Sequence, residues 1–197
     1  MRIFLSVLAT LLLAASVAGC NPPARQFRGT DISAVDWGGD FELTAHTGQR
    51  ARLSDYRGKV VVLFFGYTHC PDICAPTLNR LAQVMQRLGP EAGRVQVVFV
   101  SVDPAHDTPA QLAGFVPKFH PGFVGLTGTE AEIATVTRDY KVAFQAEPKP
   151  GATQPVIAHF GGMMVKDASG KLRVMLKNDA PIDDIVHDVR VLLAARS

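Results

Sequence analysis

Two mainly apolar runs restrict what this chain can fold into. Residues 60–65 read VVVLFF and residues 95–102 read VQVVFVSV. Runs of this length, rich in β-branched residues, are typical of strands that are buried on both faces. Between them, apolar residues recur at helical spacing over residues 77–88, and Gly89 and Pro90 end that pattern. The order strand, helix, strand predicts an α/β domain.

The rest of the chain continues this alternation. Thr108 and Thr129 precede helical patterns as capping residues, with Gln111 and Glu132 three positions later. The resulting order, β-β-β-α-β-α-β-α-β-β-α, favours a mixed central sheet flanked by helices, with an N-terminal hairpin. A thiol pair at the end of the first long strand fits a thioredoxin-like fold. Hairpins are predicted at 41–53 and 155–176, and a short strand at 123–126. Helices are predicted at 108–119, 129–140 and 181–195, and a polar loop at 145–154.

The first residues read as a processing signal. Arg2 precedes an apolar stretch over residues 3–17, which is shorter than the roughly 20 residues of a membrane-spanning helix. The small residues before Cys20 resemble a bacterial lipobox, in which the cysteine becomes the lipidated first residue. This pattern predicts a lipid anchor on the periplasmic side of the bacterial cell membrane, and an ordinary secretory signal or a short membrane anchor is the alternative. The expected segments are a signal peptide at 1–19, a lipidated N-terminus and flexible tether at 20–34, and one domain at 35–197.

Composition and cysteine count argue against two classes of protein, nucleic-acid-binding proteins and disulfide-stapled scaffolds. The formal charge is +2 and no basic block alternates with aromatic residues, so the chain lacks the pattern of a nucleic-acid-binding protein. Its three cysteines are too few for a disulfide-stapled scaffold in a domain of this size. Cys70 and Cys74 are therefore expected to be working groups.

These two cysteines lie four residues apart, where the first long strand passes into a helix. On a helix this spacing places both side chains on one face, with Cα atoms about 6 Å apart, so the pair can form a disulfide or hold a metal. The start of a helix also favours the thiolate. Thioredoxin-type redox motifs have two intervening residues instead of three, so the spacing favours a metal, and two thiolates select Cu(I). A buried structural pair is the alternative.

A third ligand for copper would come from a histidine. His159 is the candidate because it lies in the apolar run that enters the last hairpin, although a lone histidine in such a run is more often a core residue. His69 neighbours Cys70 but points away from it if the strand alternation continues. The other histidines are expected to be solvated, and they are His46, His106, His120 and His187.

The nine residues GYTHCPDIC, at 66–74, resemble the signature of the Sco/SenC family of copper-binding thioredoxin-fold proteins. Further matches follow in order at VSVDP (100–104), DTP (107–109) and GLTGT (125–129). The resemblance extends over about residues 35 to 195, which is nearly all of the expected domain.

The resemblance implies a copper site formed by Cys70, Cys74 and His159, able to take Cu(I) and also Cu(II). It implies a metallochaperone rather than an enzyme, which delivers copper to the Cu(A)-carrying subunit of cytochrome c oxidase and reduces the cysteines of that site. Other copper chaperones are implied as further partners, and the protein is expected to be a monomer.

Several positions depart from the family pattern or have a second interpretation. Ala158 stands where family members often have an aspartate, which bears on the histidine tautomer. Met163 and Met164 are either extra soft ligands or, as favoured here, core residues. Asp72 is expected to cap the helix start or to form a surface contact, and Asp103 to organise the loop near the site; neither is expected to be a ligand.

The same two sulfurs support other functions. A thiol–disulfide oxidoreductase, or a copper or redox sensor, would use Cys70 and Cys74 as a redox pair. A peroxiredoxin-like peroxidase is disfavoured because those proteins place a threonine three residues before the reactive cysteine, whereas Thr68 lies two before Cys70. The sequence leaves open whether copper delivery or thiol reduction dominates.

Overall fold

The computed structural model describes residues 26–147, 156–159 and 162–195. The predicted signal peptide at 1–19 and the predicted lipidation site Cys20 lie outside these residues. Within the described ranges, no helix is both long and apolar enough to cross a membrane. The strands are β1 (Thr30–Asp31), β2 (Glu42–Ala45), β3 (Arg50–Arg52), β4 (Val60–Gly66), β5 (Val95–Ser101), β6 (Val124–Thr127), β7 (Phe144–Glu147), β8 (Val156–His159), β9 (Gly162–Lys166) and β10 (Leu172–Lys177). The α-helices are α1 (Cys74–Leu88), α2 (Pro109–Phe115), α3 (Glu130–Asp139) and α4 (Ile182–Ala194).

The described strands form a mixed eight-stranded sheet in the order β1-β10-β9-β4-β5-β6-β2-β3, and β7 pairs with β8 apart from it. β4, β5 and β6 are parallel, while β9 and β2 run antiparallel beside them. Parallel neighbours need a crossover, and α1 and α2 supply it. The sheet confirms the predicted α/β fold with a mixed central sheet, and the predicted N-terminal hairpin is the antiparallel pair β2–β3.

Both faces of the sheet are covered, and alternate residues of β4 serve the two sides. Phe64 packs in one core with Leu78 of α1 and Ile185 of α4. Its neighbour Phe65 packs in the second core with Ile133 of α3. Every residue of β4 and of β5 is buried, as the two apolar runs predict. The carboxyl ends of β4 and β5 are therefore held in place by the tight packing of these strands.

Some elements differ from the sequence predictions. β7 falls at the start of the predicted polar loop, and β8 falls in a run that was expected to continue into β9. α2 ends at Phe115, and a 3-10 turn over Val116–Lys118 follows it, where one helix to residue 119 was expected. Pro117 explains this change, since it has no amide hydrogen to continue the α-helical ladder.

Part of the predicted tether belongs to the domain. The amides of Arg28 and Gly29 each donate to the buried carboxylate of Asp188 at 2.8 Å. Thr30 and Asp31 then pair with β10 at the edge of the sheet. The domain therefore begins near residue 28, earlier than the predicted boundary at 35, because these contacts come from residues far along the chain.

Candidate copper site

The two cysteines lie on the link between β4 and α1. Cys74 is the first residue of α1 and is buried, whereas Cys70 is half-buried and packs against both cores. The Cys70 amide donates to the Tyr67 carbonyl at 3.3 Å, which closes a turn before the helix. The pair therefore sits at the carboxyl end of a central strand, with one cysteine buried and the other partly exposed.

The helix start differs from the prediction in two respects. Cys70 lies in the preceding loop, so the pair does not share a helix face and meets across a turn instead. The N-cap is Ile73, in a helical backbone conformation, and no side chain caps it. The predicted capping role of Asp72 is therefore wrong, because its exposed side chain comes one position too early. Asp72 as a surface contact stays a prediction.

Gly66 makes room for the buried sulfur. A methyl group placed on Gly66 would lie 2.6 Å from the Cys74 Sγ atom and 2.9 Å from the Phe99 ring. Both distances are far inside van der Waals contact, so a side chain at this position would displace the sulfur or the ring. The glycine that opens the GYTHCPDIC motif is therefore explained by close packing against Cys74.

The surroundings of Cys74 favour its protonated form. A hydrogen bond with the Cys70 side chain, together with burial and the nearby charge of Cys70, raises the pKa of the Cys74 thiol. The carboxylate of Asp107 acts in the same direction, while a backbone hydrogen bond with Tyr67 opposes it. This is opposite to the thiolate expected at a helix start, because burial and the second sulfur outweigh the helix terminus. Loading both sulfurs with a metal would therefore release protons.

A buried hydrogen-bond network lies behind the Cys70 turn. The carboxylate of Asp107 accepts hydrogen bonds from the amide and the hydroxyl of Thr68, at 3.0 and 2.5 Å, and from the hydroxyl of Ser101 at 2.6 Å. Ser101 and Asp107 are fully buried. The Ser101 hydroxyl also accepts the amide of Asp103 at 3.1 Å. The network joins the end of β5 to the loop that carries Cys70.

Asp103 organises the loop after β5, as predicted. Its backbone carbonyl accepts the amides of His106 and Asp107, at 3.2 and 2.9 Å. Its carboxylate faces the Nδ1 atom of His106 at 2.8 Å. The side chain of His106 is 37% exposed, so this histidine is partly solvated, as expected, and is also held by the pairing with Asp103.

The other histidines predicted to be solvated also have polar partners in the described part of the chain. The Nδ1 atoms of His46 and His120 accept the amides of Gly125 and Gly122, each at 3.1 Å. The His187 Nδ1 atom lies 2.9 Å from the carboxylate of Asp188. The ring of His69 is exposed and its Nδ1 atom lies 3.1 Å from the Thr68 hydroxyl.

His159 ends strand β8, where its backbone pairs with that of Phe144 in β7. The position of its side chain lies outside what the structure describes, so its role as a ligand stays a prediction. Among the residues whose side chains the structure describes, no cluster of three His, Cys, Asp or Glu is arranged to hold a metal ion. The described part of the site is thus the two sulfurs.

Met163 and Met164 have opposite surroundings. Both are buried, and they pack in the first and the second core respectively. Since consecutive strand residues face opposite sides of a sheet, the two sulfurs cannot both face one ligand. Their predicted role as core residues is confirmed.

Comparison with known proteins identifies the family. The model of the family described as SCO1/SenC matches residues 29–194. The chain belongs to the SCO1/SenC family. Its Sco relatives include the mitochondrial SCO2 homolog of Mus musculus, which is 36% identical over 159 residues, 80% of this chain and 62% of the relative. The chain thus spans about three fifths of the length of this curated relative.

Solved Sco structures share the fold. ScoI of Arabidopsis thaliana, whose crystal structure holds copper, is 31% identical with a TM-score of 0.75, covering 80% of this chain and 99% of that one. A SCO1/SenC family lipoprotein from Bacillus anthracis is 26% identical with a TM-score of 0.72, covering 85% of this chain and 99% of that one. The expected thioredoxin-like Sco fold is therefore confirmed.

Sequence reasoning missed the network formed by Thr68, Ser101 and Asp107. Its members are 39 and 6 residues apart along the chain and meet only when β4 and β5 pair. The signal was present, since the VSVDP and DTP segments match the Sco family pattern and contain Ser101 and Asp107. What the sequence could not supply was the partner of each residue.

Proposed function

We propose that this Sco protein is a copper chaperone that binds copper at Cys70 and Cys74 and delivers it to the Cu(A) site of cytochrome c oxidase. The observation that carries the proposal is the contact between two cysteine side chains at the junction of a central strand and a helix. Two soft sulfur ligands suit Cu(I) better than the hard divalent cations. The copper-containing Arabidopsis relative supports the same chemistry.

The unequal burial of the two cysteines suits transfer of a metal. Cys74 is 1% exposed, whereas Cys70 is half-buried and lies in the loop before the helix. A partner can therefore reach Cys70 first and exchange ligands there, while Cys74 retains the ion until the second bond is replaced. Binding displaces protons from the thiols, so uptake is favoured as the pH rises.

His159 is proposed as the third ligand. An imidazole nitrogen completes a three-coordinate Cu(I) site and gives Cu(II) a borderline ligand that sulfur alone does not supply. The support is the family resemblance, together with the placement of His159 at the end of β8. A water molecule would be the further ligand of Cu(II).

The proposed location is the periplasmic side of the cell membrane, with the lipid on Cys20. The lipobox-like sequence and the Bacillus anthracis relative, described as a lipoprotein, support this proposal. Residues 20–26 would form the tether, since the domain contacts begin at Phe27, which packs against the first core. Mass spectrometry of the membrane-extracted protein should find a lipidated Cys20, and an unmodified mature N-terminus would contradict the anchor.

Anaerobic titration with Cu(I) in competition with a colorimetric chelator tests the copper proposal. The wild-type protein should bind one equivalent, and Cys70→Ser and Cys74→Ser should each bind far more weakly. His159→Ala should weaken binding less than either. Wild-type affinity equal to that of the double cysteine variant would refute copper binding at this pair, whereas an unchanged His159→Ala would remove only the histidine.

The second candidate function is reduction of a disulfide on the copper-receiving partner. The same arrangement favours it, since the accessible Cys70 can attack a partner sulfur and the buried Cys74 can then resolve the mixed disulfide. Two thiols are oxidised to one disulfide, and the partner disulfide gains two electrons and two protons. Turnover of a model disulfide measured beside the copper titration separates the functions, because a chaperone without reductase activity binds copper and shows no turnover.

A further inference from the structure

Asp107 is a fully buried carboxylate that belongs to neither core and is not a proposed ligand. Its three acceptor contacts are the amide and hydroxyl of Thr68 and the hydroxyl of Ser101. A buried carboxylate is costly unless its oxygens are hydrogen-bonded, and here both oxygens are. The carboxylate therefore fixes the positions of Thr68 and Ser101, and through them the segments to which they belong.

Both residues lead to the cysteine pair. Thr68 lies two residues before Cys70, inside the turn that the Cys70 amide closes onto the Tyr67 carbonyl. Ser101 is the last residue of β5 and pairs with Gly66, which contacts the Cys74 sulfur. Asp107 thus connects the loop that carries one sulfur to the strand end against which the other sulfur packs.

We propose that Asp107 is a positioning residue for the thiol pair, holding the Cys70 turn on the end of β5 and thereby maintaining the spacing between Cys70 and Cys74 that copper binding needs. This inference rests on the proposed copper site. Its physical basis is preorganisation, since a ligand already held in place loses less conformational entropy when the metal binds. Asp107 would act through the turn that carries Cys70, and it is not a proposed copper ligand.

The proposed role of Asp107 is geometric, because its carboxylate binds Thr68 and Ser101, which belong to the Cys70 turn and the end of β5. Geometry can be separated from charge by substitution.

Asparagine is the substitution that separates them. The amide oxygen of Asp107→Asn can accept from the Thr68 amide and the Ser101 hydroxyl, which share one carboxylate oxygen. The amide nitrogen can donate to the Thr68 hydroxyl, whose own proton can turn to the Nδ1 atom of His69. Asp107→Asn therefore keeps the contacts without the charge, whereas Asp107→Ala loses all of them.

The experiment measures the Cu(I) dissociation constant by chelator competition, together with the thermal midpoint of the apo protein. Asp107→Ala should weaken Cu(I) binding about 10–100-fold, the usual effect of removing a group that orients a ligand. Asp107→Asn should restore affinity to within about threefold of wild type. Thr68→Val removes the hydroxyl that donates to Asp107 and keeps the size of the side chain, so its Cu(I) affinity should lie between those of the two Asp107 variants. If Asp107→Ala does not fold, Thr68→Val provides the test.

The matched control is Asp188→Ala. Asp188 is also fully buried and accepts two backbone amides, but it lies on α4 and holds the N-terminal segment at Arg28 and Gly29. It should lower the thermal midpoint and leave the Cu(I) dissociation constant unchanged. Equal weakening by Asp188→Ala, or wild-type affinity in both Asp107→Ala and Thr68→Val, would overturn the positioning role. A wild-type protein that binds no Cu(I) would instead refute the copper site itself.

Discussion

The contact between Gly66 and the Cys74 sulfur gives a sharp test of how the site is packed. In Gly66→Ala the new methyl group would lie 2.6 Å from Sγ, and ordinary contact begins at 3.4 Å. The sulfur or the backbone must therefore move by roughly 0.8 Å, the difference between these distances. The methyl group cannot avoid the sulfur by moving towards Phe99, since a ring carbon of Phe99 would lie 2.9 Å from it.

Overpacking of this kind costs about 1–3 kcal/mol of the free energy of unfolding. For a domain of this size, that corresponds to a fall of about 2–12 °C in the thermal midpoint. Because the displaced atom is a proposed copper ligand, the Cu(I) dissociation constant should also rise about tenfold or more. Differential scanning calorimetry of the apo protein and chelator competition measure the two effects on one preparation.

Gly114→Ala is the control for this prediction, since a methyl group there meets no atom outside its own helix within 4 Å. Gly114 lies inside α2, so alanine should stabilise the protein by about 0.5–1 kcal/mol. Combining Gly66→Ala with Cys74→Ala should recover part of the lost stability, because the sulfur is then absent. A Gly66→Ala protein with wild-type midpoint and wild-type copper affinity would refute this account of the packing.

Three further outcomes are expected. Burial lowers the pKa of Lys166 to about 8, so between about pH 8 and 10 the unfolded chain keeps a proton that the folded Lys166 has lost, and this one group should add on the order of 2 kcal/mol to the free energy of unfolding across that range. The raised pKa values of Cys74 and Tyr140 act in the opposite direction there, so the contribution is measured as the difference between the wild type and Lys166→Met in urea titrations at each pH. A difference that stays constant from pH 8 to 10 would count against it. Thr129 is the N-cap of α3, and its hydroxyl accepts the amide of Glu132 at 3.2 Å. Thr129→Ala should therefore lower the free energy of unfolding by about 1 kcal/mol in the same assay, and an unchanged free energy of unfolding would contradict this role. Because the pKa of Cys74 is raised, Cu(I) affinity should fall about 10–100-fold for each pH unit of acidification near neutrality, and a pH-independent dissociation constant would contradict the proton release.

The central strands could be predicted from the sequence because their signal is local. The apolar runs at 60–65 and 95–102 carry enough β-branched and aromatic residues to be buried in any fold, and they became β4 and β5. α3 was located by its capping box, with Thr129 as the N-cap in the structure as well. β1 could not be found this way, since two exposed residues become a strand only by pairing with β10.

The cysteine pair could be singled out from the sequence, whereas the residues that support it could not. Cys70 and Cys74 stand out by residue type and spacing, but the sequence between them does not indicate at which residue the helix begins. A helix that starts one residue later than the Asp72 cap requires leaves Ile73 as an N-cap without a side-chain bond. The role of Asp107 depends on the parallel pairing of β4 with β5, which no spacing along the chain reveals.

X-ray absorption spectroscopy at the copper edge of the Cu(I)-loaded protein tests the central claim most directly, because it counts the atoms bound to the metal. The account predicts two sulfur ligands and one nitrogen ligand in the wild type, one sulfur fewer in Cys74→Ser and no nitrogen in His159→Ala. A first shell without sulfur, or a wild-type spectrum that Cys74→Ser leaves unchanged, would contradict a copper site at this thiol pair.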